Sequence, residues 1–242
     1  MTDKHALIQP DRGQDATAIH LVDKAGLDDF VKALPPPQRA ALAAQKFEAE
    51  GYSHAILPDG DGWSVVAGVA DAASLSSWCM AKLAEVLPAG TYRRADAEPG
   101  PALYGWITGQ YRFERYRAEP SQEGPRILLT KELKAIDPAL AEARANALVR
   151  DMVNTPAEDM GPAEIEGQAE KVAKAGKAEL RVTRGDALER DFPMVHTVGR
   201  AAERSRAPRM IELEWGDPKH PRIAVIGKGD GLRRGAANYY NF

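Results

Sequence analysis

Apolar residues along the first half of the chain fall into short blocks separated by turn-forming residues. Ala18–Val22 (AIHLV) has the length of a strand, and Leu27–Leu34 repeats apolar positions at helical spacing until Pro35-Pro36-Pro37 stops it. Gln38–Glu50 reads as a helix closing at Gly51, a residue suited to a left-handed C-cap. His54–Leu57 and Trp63–Val69 flank Pro58-Asp59-Gly60-Asp61-Gly62, the pattern of two strands joined by a turn. Ser74–Leu87 returns to helical spacing and ends at Pro88-Ala89-Gly90. A Pro/Gly-rich loop, Glu98-Pro99-Gly100-Pro101, then leads into Ala102–Arg117, and Arg126–Thr130 (RILLT) reads as a strand.

The second half opens on the longest helical pattern, Asp137–Val153, with Pro138 in its first turn and Leu140, Ala143, Ala147, Leu148 and Val149 on its apolar face. Asn154-Thr155-Pro156 ends it, because residues before proline avoid helical dihedrals. A helix from Pro162 to about Ala175 follows, ending at Gly176. Glu179–Arg184 alternates as a strand, Asp186–Arg190 suits a helical turn, and Met194–Val198 reads as a further strand. Arg209–Trp215 sets Ile211, Leu213 and Trp215 against Glu212 and Glu214, the alternation of a half-exposed edge strand. Arg222–Gly227 (RIAVIG) is continuously apolar after its arginine, as in a strand buried on both faces. The order of elements predicts an α/β fold: a small N-terminal α/β domain over 1–130, a connector helix over 131–153, and the opening βα units of a larger α/β domain over 154–229.

Composition narrows the function classes. Thirty-two basic against 35 acidic residues leave a net charge of −3 over 242 residues, which supplies no broad cationic footprint for nucleic acid or an anionic membrane. The segment LYGWITGQYRFERYR interleaves Tyr104, Trp106, Tyr111, Phe113 and Tyr116 with Arg112, Arg115 and Arg117. Such interleaving can stack bases, but at helical spacing it more often forms a core stripe with a solvated basic edge. The lone Cys79 excludes an internal disulfide framework and a cysteine-rich zinc site, and suits a reducing compartment. No apolar run approaches the ~18–20 residues of a membrane span, and the charged N-terminus does not read as a signal peptide, so a cytoplasmic location is expected.

Motifs of the common chemistries are missing from the sequence. His5, His20, His54, His196 and His220 show no i, i+4 pair and no H-E-x-x-H, and there is no G-x-S-x-G elbow. Ile226-Gly227-Lys228-Gly229-Asp230-Gly231 invites a phosphate-binding reading, but G-x-G-x-x-G fails at Leu232 and no serine or threonine follows Lys228. The eleven residues after Gly231 are too few for a dinucleotide unit.

Longer stretches carry a resemblance. LVRDMVNTPAEDMGPAEI (Leu148–Ile165), RGDALERDFPMVHTVGRAAERSRAPRMIELEWGDP (Arg184–Pro218) and RIAVIGKG (Arg222–Gly229) resemble the leucyl aminopeptidase family of cytosolic two-metal exopeptidases. The PAGTYR and GQYRFERYR stretches resemble the smaller domain that precedes catalysis in that family, so the likeness runs from about Leu21 to Gly229. It implies removal of N-terminal amino acids from peptide substrates, two divalent metal ions (manganese or zinc), and a homo-oligomer. It also implies that Lys228, in GKG, is a metal ligand, deprotonated through burial beside divalent cations.

The sequence departs from the family after Gly229. There the family continues with F-D-S/T-G-G, whose aspartate is a metal ligand; here Arg233 takes its place, and the family's catalytic lysine falls near Tyr240. One lysine cannot hold a divalent pair that needs several carboxylate oxygens, and Arg233 would repel it. The expectation is that 230–242 is a tail foreign to the family, arising from a shifted frame or a truncated product. The chain is expected not to hydrolyse peptides, and no catalytic or cofactor-binding residue besides Lys228 is assigned. The alternative is a non-catalytic binding or oligomerisation module that associates with an intact family member.

Overall fold

The structure, a computed structural model, describes residues 7–119 and 124–227. The chain divides into two compact units, Met1–Arg150 and Asp151–Phe242.

The first unit is built on a six-stranded sheet. Its strands are β1 (Ile8–Pro10), β2 (Thr17–Val22), β3 (His54–Asp59), β4 (Gly62–Gly68), β5 (Gly90–Arg94) and β6 (Arg126–Thr130), in the spatial order β1-β6-β5-β2-β4-β3. All neighbours run parallel except β3, which returns antiparallel to β4 through the predicted turn, with Asp59 opposite Gly62. Because successive side chains leave a strand on opposite faces, adjacent residues feed different cores: Val65 belongs to one apolar cluster and Val66 to the other. One face is covered by α1 (Leu27–Ala33) and α2 (Pro36–Ala44), through Leu27, Phe30, Val31 and Leu42. The other is covered by α3 (Ala81–Val86), α4 (Ala102–Gly109) and α5 (Leu133–Asn154), through Leu83, Leu103, Trp106, Leu140 and Ala143. Each fully buried aliphatic side chain of this kind contributes about 1.5–3 kcal/mol.

Of the aromatics in Ala102–Arg117, Trp106 and Tyr104 join this core, whereas Tyr116 is exposed. Trp106 is buried, and its indole N–H donates to the Arg126 carbonyl at 2.8 Å, so β6 and α4 are tied without an orphan donor. Helix α4 lies close against the chain before α3 and against the first residue of α3. A Cβ at Gly105 would stand 2.3 Å from the Ser77 carbonyl oxygen, and one at Gly109 would stand 2.2 Å from that of Ala81. Glycines four apart on one helical face therefore permit backbone-to-backbone approach.

The second unit is smaller. α6 (Pro162–Gly176) packs on an antiparallel pair, β7 (Glu179–Arg184) and β8 (Arg209–Glu214), with α7 (Gly185–Asp191) and α8 (Pro193–Gly199) between the strands in sequence.

Several local expectations are corrected. Met194–Val198 is not a strand but most of α8. Pro193 opens that helix, the Thr197 hydroxyl donates to the Pro193 carbonyl, and Met194 and Val198 are exposed. An isolated pentapeptide has no neighbouring strand to satisfy its backbone, whereas a helix satisfies its own. Ser74–Leu87 is helical only over Ala81–Val86, because the Asp71 carboxylate accepts the Ala73 and Ser74 N–H groups and holds a turn there. Helix α4 stops at Gly109 rather than running to Arg117, and Pro138 lies inside α5 rather than in its first turn. Left-handed backbone occurs at Lys46, Ala49, Tyr52 and Lys177, not at the neighbouring Gly51 and Gly176.

Candidate functional site

Lys228, the residue assigned to metal by resemblance, lies outside the described residues, as do Arg233 and Tyr240. The run leading to it is described through Gly227 and has no regular secondary structure; Ile223, Val225 and Ile226 are about nine-tenths exposed. A strand apolar on both faces needs neighbours on its edges and cover on its faces, and no described strand pairs with 222–227.

The loop after α5 is held more firmly. Thr155 is buried, its hydroxyl donating to the Asp151 carbonyl at 2.6 Å, which closes the last turn of the helix before Pro156. The Arg206 guanidinium donates to the carbonyls of Ala157 and Glu158, fixing the path of the loop. Pro162 then opens α6, and the Glu164 carboxylate accepts the Gly161 N–H at 2.8 Å, a reach-back that satisfies a donor at the helix start.

One turn further, Glu166 is buried and accepts from two arginines, Arg184 of β7 and Arg209 of β8. Arg209 is itself largely buried, and its Nε is enclosed without a hydrogen-bond partner among the described residues. One carboxylate thus joins helix to both strands, with a net positive charge left on the cluster. The sequence reading missed this group. Its available signal was an acid seven residues before Ala173 on the buried face of α6, where an apolar side chain is the norm.

The first unit carries a surface concavity of about 400 Å³ beside the end of α4, with Tyr52, Trp78, Lys82, Glu85, Arg112 and Arg150 among its lining. The Arg150 guanidinium lies 4.1 Å from the Tyr111 ring centroid and donates to the Thr108 carbonyl at 3.2 Å. Arg112 donates to the carbonyls of Gly109 and Tyr111 at 3.1 and 3.0 Å. Lys82 and Glu85 pair at 3.1 Å, and that ammonium holds the Glu85 carboxyl below the usual range. Trp78 packs its edge on Tyr104 with ring centroids 5.0 Å apart and remains half exposed.

Comparison with known proteins assigns both halves to one family, in order. Residues 17–129 match the model of the M17 aminopeptidase N-terminal domain, and residues 147–230 match that of the cytosol aminopeptidase family catalytic domain. The chain belongs to the leucyl aminopeptidase family. It is 30% identical to Peptidase B of Cronobacter sakazakii over 224 residues, which covers 89% of this chain and 40% of that protein. It is 26% identical to a probable cytosol aminopeptidase of a Chelativorans species, covering 92% and 49%. Among solved structures, the cytosol aminopeptidase of Coxiella burnetii superposes with a TM-score of 0.75 at 28% identity, over 89% of this chain and 47% of that one. The bottromycin maturation enzyme BotP in complex with Mn shares the fold at a TM-score of 0.65 and 23% identity, covering 88% and 46%. This leucyl aminopeptidase family chain therefore spans about half the length, or less, of these relatives.

The described part of this family member does not by itself fit a divalent metal pair. Among the described residues no group of three or more His, Cys, Asp or Glu side chains is placed to hold a metal ion. Glu166, a buried carboxylate of the catalytic-domain segment, is already claimed by two guanidinium groups that would repel a cation. No described helix is long and apolar enough to cross a membrane.

Proposed function

We propose that this chain supplies the N-terminal domain and the opening catalytic segment of a metal-dependent aminopeptidase that releases N-terminal amino acids from peptides. The observation that carries the reading is the consecutive match of two domain models of one family, 17–129 and 147–230, over a fold shared with the Coxiella burnetii enzyme. A cytosolic location is in keeping with the name of the cytosol aminopeptidase relatives, and use of a divalent metal is in keeping with the Mn complex of BotP. Lys228 would serve as one metal ligand and the assembled enzyme would be an oligomer, both taken from the resemblance.

Arg233 bears on the 242-residue chain itself. Standing in the register of the family's aspartate ligand, its fixed positive charge opposes a divalent cation at Lys228. The chain alone is accordingly proposed to be inactive. The test is leucine-amide hydrolysis by the purified chain with added manganese or zinc. No turnover above buffer is the expected result; turnover abolished by a chelator would overturn the inactivity.

A second reading has an observation behind it. Met194, Val198, Trp215, Ile223, Val225 and Ile226 are large apolar residues of the second unit that stand exposed. They suit a module that binds an intact family member, and co-purification with a tagged full-length aminopeptidase would support it. Failure to co-purify at micromolar concentrations would remove it.

A further inference from the structure

The concavity beside α4 has three chemistries together that neither the fold nor the peptidase reading uses. The first is a pair of fixed guanidinium groups. Arg150 is held by Tyr111 and the Thr108 carbonyl, and Arg112 by the Gly109 and Tyr111 carbonyls. A guanidinium has five N–H donors, and these contacts commit one nitrogen of each side chain, so donors remain for a carboxylate. The second is Glu85, whose Oε2 accepts from Lys82 while Oε1 carries no hydrogen bond among the described residues. The third is aromatic surface: Trp78 is 48% exposed and Tyr52 is 58% exposed, although both rings are large enough to favour burial.

Capping of α4 explains part of this. Arg112 and Arg150 both donate to carbonyls at the helix end, where cations are favourable. Capping does not require two arginines facing one hollow, nor a carboxylate and two exposed rings lining the same hollow. A volume of about 400 Å³, open to solvent on one side, gives room for a small molecule.

The geometry points to a binding site for a free amino acid with a large apolar or aromatic side chain. Its carboxylate would be bound by Arg112 and Arg150, its ammonium by Glu85, and its side chain by Trp78 and Tyr52. The ligand class is the product class of the proposed peptidase, and to that extent the inference rests on that reading; binding itself needs no metal and no turnover. The site makes the first unit a sensor of released amino acids.

The experiment is calorimetric titration of the full 242-residue chain, in chelator, with L-phenylalanine, L-leucine, N-acetyl-L-phenylalanine and L-phenylalanine amide. L-Phenylalanine is expected to bind saturably with a Kd of about 1 mM or tighter, and each blocked analogue to bind roughly tenfold more weakly or worse. Arg112→Gln should weaken L-phenylalanine by about tenfold, and Arg150→Lys, which keeps the charge but not the planar fork, by a similar factor. Glu85→Gln should narrow the gap between L-phenylalanine and its N-acetyl form, a readout that general destabilisation would not move. Thermal melts identify any variant that fails to fold, and the Glu85→Gln discrimination and the blocked ligands, measured on folded protein, then decide. No saturable binding up to about 10 mM overturns the inference, as does equal binding of blocked and free phenylalanine. Because leucine-amide turnover is assayed separately and with metal, failure here leaves the peptidase reading untouched, and the reverse holds too.

Discussion

Asp11 and Arg93 show how one pair joins distant parts of the first unit. The guanidinium donates to both carboxylate oxygens at 2.6 and 2.9 Å, and Asp11 is almost fully enclosed. The Arg93 hydrogen bond, then the Gly13 N–H, holds the Asp11 carboxyl below its ordinary value. A depressed carboxylate pKa gives stability that is present above the unfolded value, near 3.9, and lost as pH falls through the lowered one. Thermal unfolding should therefore show Asp11→Asn less stable than the parent at pH 7, with the gap closing as pH is taken below about 4. A gap that stays constant down to pH 3 would contradict the assignment. At the same scale, burial pushes the Cys79 thiol up. Its alkylation by iodoacetamide at pH 8 should be much slower in the native chain than in denaturant. None of these pairings was legible in the sequence. Asp11 and Arg93 lie 82 residues apart, and only the parallel packing of β5 and β6 beside the chain after β1 brings them together.

Among the elements, α4 and α6 make the sharpest claims. Helix α4 is placed by the absence of two side chains, so Gly105→Ala must push a Cβ into the Ser77 carbonyl. The cost should be about 1–3 kcal/mol, read from urea unfolding of the first unit; an unchanged midpoint would mean that this approach is looser than described. Helix α6 is tied to β7 and β8 through Glu166. Glu166→Gln leaves two guanidinium groups without their counter-charge and should destabilise the second unit by about 3 kcal/mol, measured the same way. Periodicity found both helices, and it found β2, β3, β4, β6, β7 and β8, because each presents enough apolar residues to one face to leave a pattern. It erred at Met194–Val198, where a short apolar run fits either period and the choice falls to whether a partner strand exists. It missed Glu166 because a charge on a helix reads as solvated face until its two arginines, 18 and 43 residues away, are seen beside it.

For the whole molecule, the division into two units near Arg150 makes a prediction about cleavage. The stretch 221–227 has no regular structure and is exposed throughout, so among the described residues limited proteolysis should cut there first. A second, slower cut between α5 and α6 should leave a resistant first unit. Uniform resistance through Gly227 would count against this picture. Val225→Lys should raise solubility without lowering the melting temperature, since it breaks an exposed apolar run and removes no buried contact.

Local interactions that repeat along the chain were written in the sequence: the alternation of strands, the proline and glycine punctuation, and the order of segments that identifies the leucyl aminopeptidase family. Those features depend on residues a few positions apart, and so survive without knowledge of the fold. What the tertiary structure decided depends on residues far apart in sequence. It set the strand order β1-β6-β5-β2-β4-β3, the enclosure of Glu166 by two arginines, and the meeting of Trp78, Glu85, Arg112 and Arg150 around one hollow. Each is a long-range contact whose partners carry no shared local signal, so only the folded backbone can bring them together.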